Sequence, residues 1–78
     1  MNNQDRLKKV LADVLSIDMG SINEETSVDS VENWDSFNHM KLVLALEGEF
    51  NISFTEEQTV EIISYPLIRA VLQEHGIQ

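Results

Sequence analysis

Apolar side chains recur along this chain with the period of a helix and nowhere for long with the period of a strand. Leu7, Val10, Leu11, Val14 and Leu15 fall at i, i+3, i+4, i+7 and i+8, the spacing of one face of an amphipathic helix. The pattern predicts a first helix from about Gln4 to Ser16, with Asn3 or Asp5 as its cap. From Ile17 to Asp35 the character changes: Gly20 and repeated Ser, Asn and Asp residues surround only scattered apolar positions, Ile17, Met19, Ile22, Val28, Val31 and Trp34. A loop longer than roughly 12 to 15 residues is uncommon in a small domain and is usually functional or disordered. The spaced apolar residues favour an ordered loop pinned across the helices.

From Ser36 to Phe50 the positions Phe37, Met40, Val43, Leu44 and Phe50 return to helical spacing, while Leu42, Ala45 and Leu46 widen the stripe beyond one face. Gly48 weakens the last turn of this central helix. Asn51 suits the left-handed residue that ends it. Ile52 and Phe54 alternate with polar neighbours, but the run is too short for a strand and has nothing to pair with, so it reads as an extended connector. Thr55, three residues before Gln58, resembles a capping box opening a short helix that presents Val60, Ile62 and Ile63. Pro66 fits the first position of a final helix with Leu67, Ile68, Val71 and Leu72 on its apolar face, and Gly76 stands where that helix stops. No repeat, low-complexity tract or linker interrupts residues 1–78, which read as one domain: an all-α four-helix bundle with a long first loop. Met40, Val43, Leu44, Leu46, Phe54, Ile62, Ile63, Ile68 and Leu72 are the expected core, with Phe50 at its centre.

Charge narrows the function classes. Fourteen acidic residues face five basic ones among 78, a net charge of −9, and beyond Lys9 the only cations are Lys41 and Arg69. Nucleic acid and anionic membranes are poor partners for such a surface, and proteins with basic patches are good ones. The plainer reading is that acidity only maintains solubility. No apolar run approaches the roughly 20 residues that span a bilayer, and Met1 to Lys9 lacks the apolar core of a signal peptide. The expectation is a soluble, monomeric, cytoplasmic protein. With no cysteine, any thiol chemistry has to come from an added group.

Catalytic sets are hard to assemble from what remains. His39 and His75 join no nucleophile or metal pattern, and both are expected to be exposed and incidental. The acidic stretch Asp29 to Asp35 fails as a calcium loop at Val31, Trp34 and Met40, where a ligand oxygen, a glycine and a glutamate are needed. There is no phosphate-cradling glycine loop, and a chain of this size leaves little room for a pocket. The sequence points to a protein that is not an enzyme. At the junction of the long loop and the central helix stands Trp34-Asp35-Ser36-Phe37. By spacing alone, Asp35 is a helix cap and Ser36 an ordinary first-turn residue.

Together with the central helix behind it, this tetrapeptide says more. Asp35-Ser36-Phe37, then Met40, Val43, Leu44, Ala45, Leu46, Glu47, Glu49 and Phe50, then Ile52 and Ile62, resemble the acyl carrier protein family across nearly the whole chain. The family motif is Asp-Ser-Leu, and its serine carries a covalent 4'-phosphopantetheine taken from coenzyme A. The resemblance therefore implies that Ser36 is the attachment site, with Asp35 capping the helix beside it. A serine at a helix start projects into solvent, and a phosphodiester there would lie near free amides and the positive end of the helix dipole. Nothing in the chain activates Ser36, so a phosphopantetheinyl transferase has to supply base and magnesium.

Three departures from the family pattern bear on cargo and partner. Trp34 replaces a glycine, Phe37 replaces a leucine, and Asn38, His39 and Lys41 make the start of the central helix less acidic. Trp34 either packs beneath the loop or touches arm or partner. Phe37 and Met40, with the acidic residues Glu47, Glu49, Glu56, Glu57 and Glu61, are the expected docking residues for an acyl- or aminoacyl-loading ligase, a ketosynthase or an acyltransferase. The implied function is a carrier of acyl thioesters in fatty acid, polyketide or related biosynthesis. An aminoacyl or peptidyl carrier uses the same serine, and an unmodified acidic interaction module would use Asp35 and Ser36 only as a helix start.

Overall fold

Each α-helix in this chain begins after a residue whose side chain accepts one of the amides left over by the helical pattern. In the computed structural model, which describes residues 2–77, α1 spans Asn3–Leu15 and is capped by Asn2, whose side chain accepts the Asp5 amide at 2.8 Å. The cap therefore lies one residue earlier than Asn3, and Asp5 sits in the first turn, where a carboxylate complements the helix dipole. Ser16 lies outside α1, in the left-handed region at φ 57°, with its amide bonded back to Ala12. A single 3₁₀ turn follows at Met19–Ser21.

The second helix, α2, runs Ser36–Phe50 between Asp35 and a left-handed Asn51, as the sequence predicts. Thr55 and Gln58 close a reciprocal capping box on α3, Glu56–Glu61. The last helix, α4, spans Tyr65–Glu74; Ser64 is its cap, so Pro66 occupies the second helical position rather than the first. Gly76 follows at φ 83°. Among the described residues there is no strand, only an isolated bridge between Ser27 and Ser64. The fold is an all-α four-helix bundle.

Packing sorts the apolar residues more sharply than their spacing did. Leu7, Val10, Leu11 and Leu15 of α1 pack with Leu42, Val43, Leu46 and Phe50 of α2, the most extensive helix pair, and with Ile62 and the inward face of α4. Tyr65 and Leu42 join this core although neither was expected in it, and Trp34 packs into it from beneath the loop. Met40, Leu44 and Ile63 do not belong to it, being 60%, 64% and 43% exposed, and Phe54 is only half-buried at its margin. The cause lies in α2, which is apolar on most sides. Phe37, Met40 and Leu44, at i, i+3 and i+7, form a strip that points away from α1, and periodicity cannot tell which of two apolar faces turns inward.

The long loop is ordered by bonds to three helices. Asn33 donates to the Leu15 carbonyl at 3.0 Å, closing the end of α1. The Val28 amide donates to Ile63 and the Tyr65 amide to Thr26, at 3.0 and 2.8 Å, which ties the loop to the junction of α3 and α4. Ile22 and Trp34 are buried from the loop side. Arg69 clamps the same region with a bidentate pair to Glu24, at 2.5 and 2.7 Å, and lies 4.9 Å over the Tyr65 ring. The hydrogen bond that Arg69 donates to Glu24 raises the Arg69 pKa above its ordinary value, against a smaller lowering by burial. The Tyr65 hydroxyl is buried without a hydrogen-bond partner among the described residues, while the Arg69 guanidinium covers the ring of the same side chain.

Candidate functional site

Ser36 is the first residue of α2 and is exposed. Asp35 before it has extended backbone and accepts the Asn38 amide on Oδ1 at 2.8 Å, while its carbonyl takes the His39 amide. Among the described residues no hydrogen bond uses the amides of Ser36 or Phe37, so two donors at the positive end of the helix remain open beside the hydroxyl. Asn38 fixes the approach from the loop by donating to the Asn33 carbonyl at 2.7 Å.

Beside Ser36 lies an open cleft of about 650 Å³, larger than the sequence suggested for a chain this small. It is bounded by Val28, Trp34, Asp35, Ser36, His39, Met40, Thr59, Val60 and Ile63, so the long loop, α2 and α3 each contribute a wall. Its mouth is polar at Asp35 and Ser36, and its walls are apolar at Met40, Val60 and Ile63. Trp34 forms the floor at 5% exposure, so this indole both packs beneath the loop and faces the cleft.

His39 is neither exposed nor incidental. The indole Nε1–H of Trp34 donates to His39 Nδ1 at 3.0 Å, and His39 Nε2 lies 2.7 Å from the Thr59 carbonyl. An indole can only donate and a carbonyl can only accept, so the ring proton sits on Nε2 and donates to Thr59. The two rings stack with centroids 6.3 Å apart. His39 stands three residues after Ser36, on the same face of α2, a spacing that could have drawn attention to it although nothing local names its partners. His75 is also half-buried: its Nε2 donates to Gln58 Oε1 at 3.0 Å and its ring meets the edge of Phe54, which ties α4 to α3.

The expected docking residues divide into two groups. Phe37 is 73% exposed, with Lys41 5.6 Å over its ring, and Met40 and Leu44 continue the same strip. Glu56, Glu57 and Glu61 are exposed on α3. Glu47 and Glu49 have partners inside the fold: Glu47 accepts the Phe54 amide at 2.8 Å, and Glu49 accepts from Arg6 at 2.8 Å through its carboxylate and at 2.6 Å through its carbonyl. Among the described residues no group of three or more His, Asp or Glu side chains is placed to hold a metal ion, and no helix is long and apolar enough to cross a membrane.

An exposed serine hydroxyl at a helix start, two open amides and an adjoining, largely apolar cleft suit a linear group joined through a phosphodiester. Comparison with known proteins points the same way. Residues 5–75 match the family model described as phosphopantetheine attachment site. The acyl carrier protein of Buchnera aphidicola subsp. Baizongia pistaciae (strain Bp) is 28% identical over 74 residues, which cover 95% of this chain and 95% of that one.

Proposed function

This chain belongs to the phosphopantetheine attachment-site family, whose members carry cargo on a covalent arm and are not enzymes, and we propose that Ser36 holds the arm in this protein. The observation that carries the assignment is the position of Ser36: exposed at the first residue of α2, at the polar mouth of an open cleft with largely apolar walls.

The division of labour follows from the geometry. Asp35 caps α2 and so fixes where the Ser36 hydroxyl points; its carboxylate is engaged by the Asn38 amide, and the base that takes the Ser36 proton comes from the modifying enzyme. The free amides of Ser36 and Phe37 favour the phosphodiester that forms on the serine oxygen. When bound, phosphopantetheine supplies a terminal thiol on which an acyl group is held as a thioester. Met40, Val60 and Ile63 offer that assembly an apolar surface.

We assign the cargo as acyl intermediates of fatty acid, polyketide or related biosynthesis. The apolar strip Phe37, Met40 and Leu44, with Glu56, Glu57 and Glu61 on α3, is the surface that meets the transferase and the loading and condensing enzymes. Incubation with coenzyme A and a broad-specificity phosphopantetheinyl transferase, followed by intact mass measurement, tests the reading. Wild type is expected to gain the mass of one arm and Ser36→Ala to gain none. Modification at another residue, or none at all, would make Ser36 only the start of a helix.

A further inference from the structure

The hydrogen bonds from Trp34 to His39 and from His39 to Thr59 join three parts of the fold through one side chain. Trp34 belongs to the long loop, His39 to α2 and Thr59 to α3. The Thr59 carbonyl lies in the last turn of a six-residue helix and needs a partner from outside it. No residue within α3 is itself buried, so packing alone holds this helix weakly and the imidazole supplies a directed tie.

Trp34, His39 and Thr59 all line the cleft, and the buried indole joins this tie to the core beneath it. An apolar chain passing inward between α2 and α3 would part His39 from Trp34 or from Thr59. Either break leaves the Trp34 indole N–H or the Thr59 carbonyl, both part-buried, without its partner against the entering apolar chain, which is unfavourable. Leu42, Leu46 and Ile62 in the core are completely buried, so an entering chain would have to displace packed side chains. Met40, Val60 and Ile63, in contrast, already present apolar surface to the open cleft.

We infer that His39 is a specificity-determining, positioning residue: it bars the thioester-bound cargo from the core and keeps it in the open cleft, within reach of water and of partner enzymes. The inference rests on the carrier reading above. It makes this a carrier that displays its cargo and distinguishes chain lengths poorly on its own.

The test loads wild type, His39→Ala and His39→Gln with octanoyl-phosphopantetheine from octanoyl coenzyme A, using the same transferase, and prepares the unacylated arm forms as controls. Intact mass verifies each product. Two readouts are taken: the difference in melting temperature between acylated and unacylated forms, and the rate at which hydroxylamine cleaves the thioester. Wild type is expected to show no difference in melting temperature and to be cleaved as fast as octanoyl-pantetheine free in solution. In His39→Ala the octanoyl form is expected to melt about 4 °C or more above its unacylated form, with cleavage slowed several-fold. His39→Gln, whose amide can accept from Trp34 and donate to Thr59, is expected to restore the wild-type pattern.

A wild-type octanoyl form that is already stabilised and protected overturns the inference whether or not His39→Ala folds. So does a His39→Ala protein that behaves as wild type. An unmodified mass overturns the carrier reading and this inference with it; a correct mass with a protected wild-type thioester overturns the inference alone.

Discussion

Side by side at the mouth of α2, Asp35 commits its carboxylate to the Asn38 amide while Ser36 keeps its hydroxyl in solvent. The two roles were legible in the sequence because a cap and a first-turn residue are defined by local chain chemistry. His39 was not. Its importance comes from Thr59, twenty residues away, and no local pattern registers such a partner. Phe50 shows the same divide at the other end of the helix. The sequence places it at the core's centre; the structure buries it in the core as the most exposed of the buried apolar residues there, with the Arg6 guanidinium 4.7 Å over its ring. Part of its surface is thus covered by a cationic side chain instead of packed aliphatic groups. Phe50→Ala is expected to cost about 3 kcal/mol, the lower end of the roughly 3 to 5 typical of buried phenylalanines, measured by urea denaturation. A near-neutral result would mean that the ring is not packed.

Among the elements, the helices were readable through their ends and misread through their sides. Asp35, Asn51, the Thr55–Gln58 box and Gly76 all stand where the sequence put them, because capping is a short-range property of residue type. The faces of α2 were not separable, since Leu42, Val43 and Leu46 on one side and Phe37, Met40 and Leu44 on the other are equally apolar. Only the partner helix decides between them. Gly48 lies in the last turns of α2, exposed and outside the left-handed region, and a β-carbon there would meet nothing within 4 Å. Gly48→Ala is therefore expected to stabilise the protein by about 1 kcal/mol, read as a higher denaturation midpoint with an unchanged slope. An unchanged or lower midpoint would show that α2 is strained at that turn. Arg69 and Glu24 tie the loop to α4 in a way that pH hardly touches from the arginine side. Because its folded pKa is raised, that contribution is complete below the ordinary guanidinium value and is lost only when pH climbs beyond it.

For the molecule as a whole, a net charge of −9 favours the approach of basic partners, and under the proposed function the exposed apolar strip on α2 is expected to set how long they stay. With the transferase as partner, raising salt is expected to slow association by about tenfold or more. Replacing Glu56, Glu57 and Glu61 together with glutamine should lower the association rate and flatten its salt dependence, whereas Phe37→Ala should mainly speed dissociation. Stopped-flow or surface-plasmon kinetics would separate these, and an association rate indifferent to salt would remove steering from the account. Trp34 is the sole indole in the chain, and it sits where the loop, α2 and α3 converge under the cleft. The protein thus has a built-in optical label whose ultraviolet emission is expected to change as that groove fills, without an attached dye.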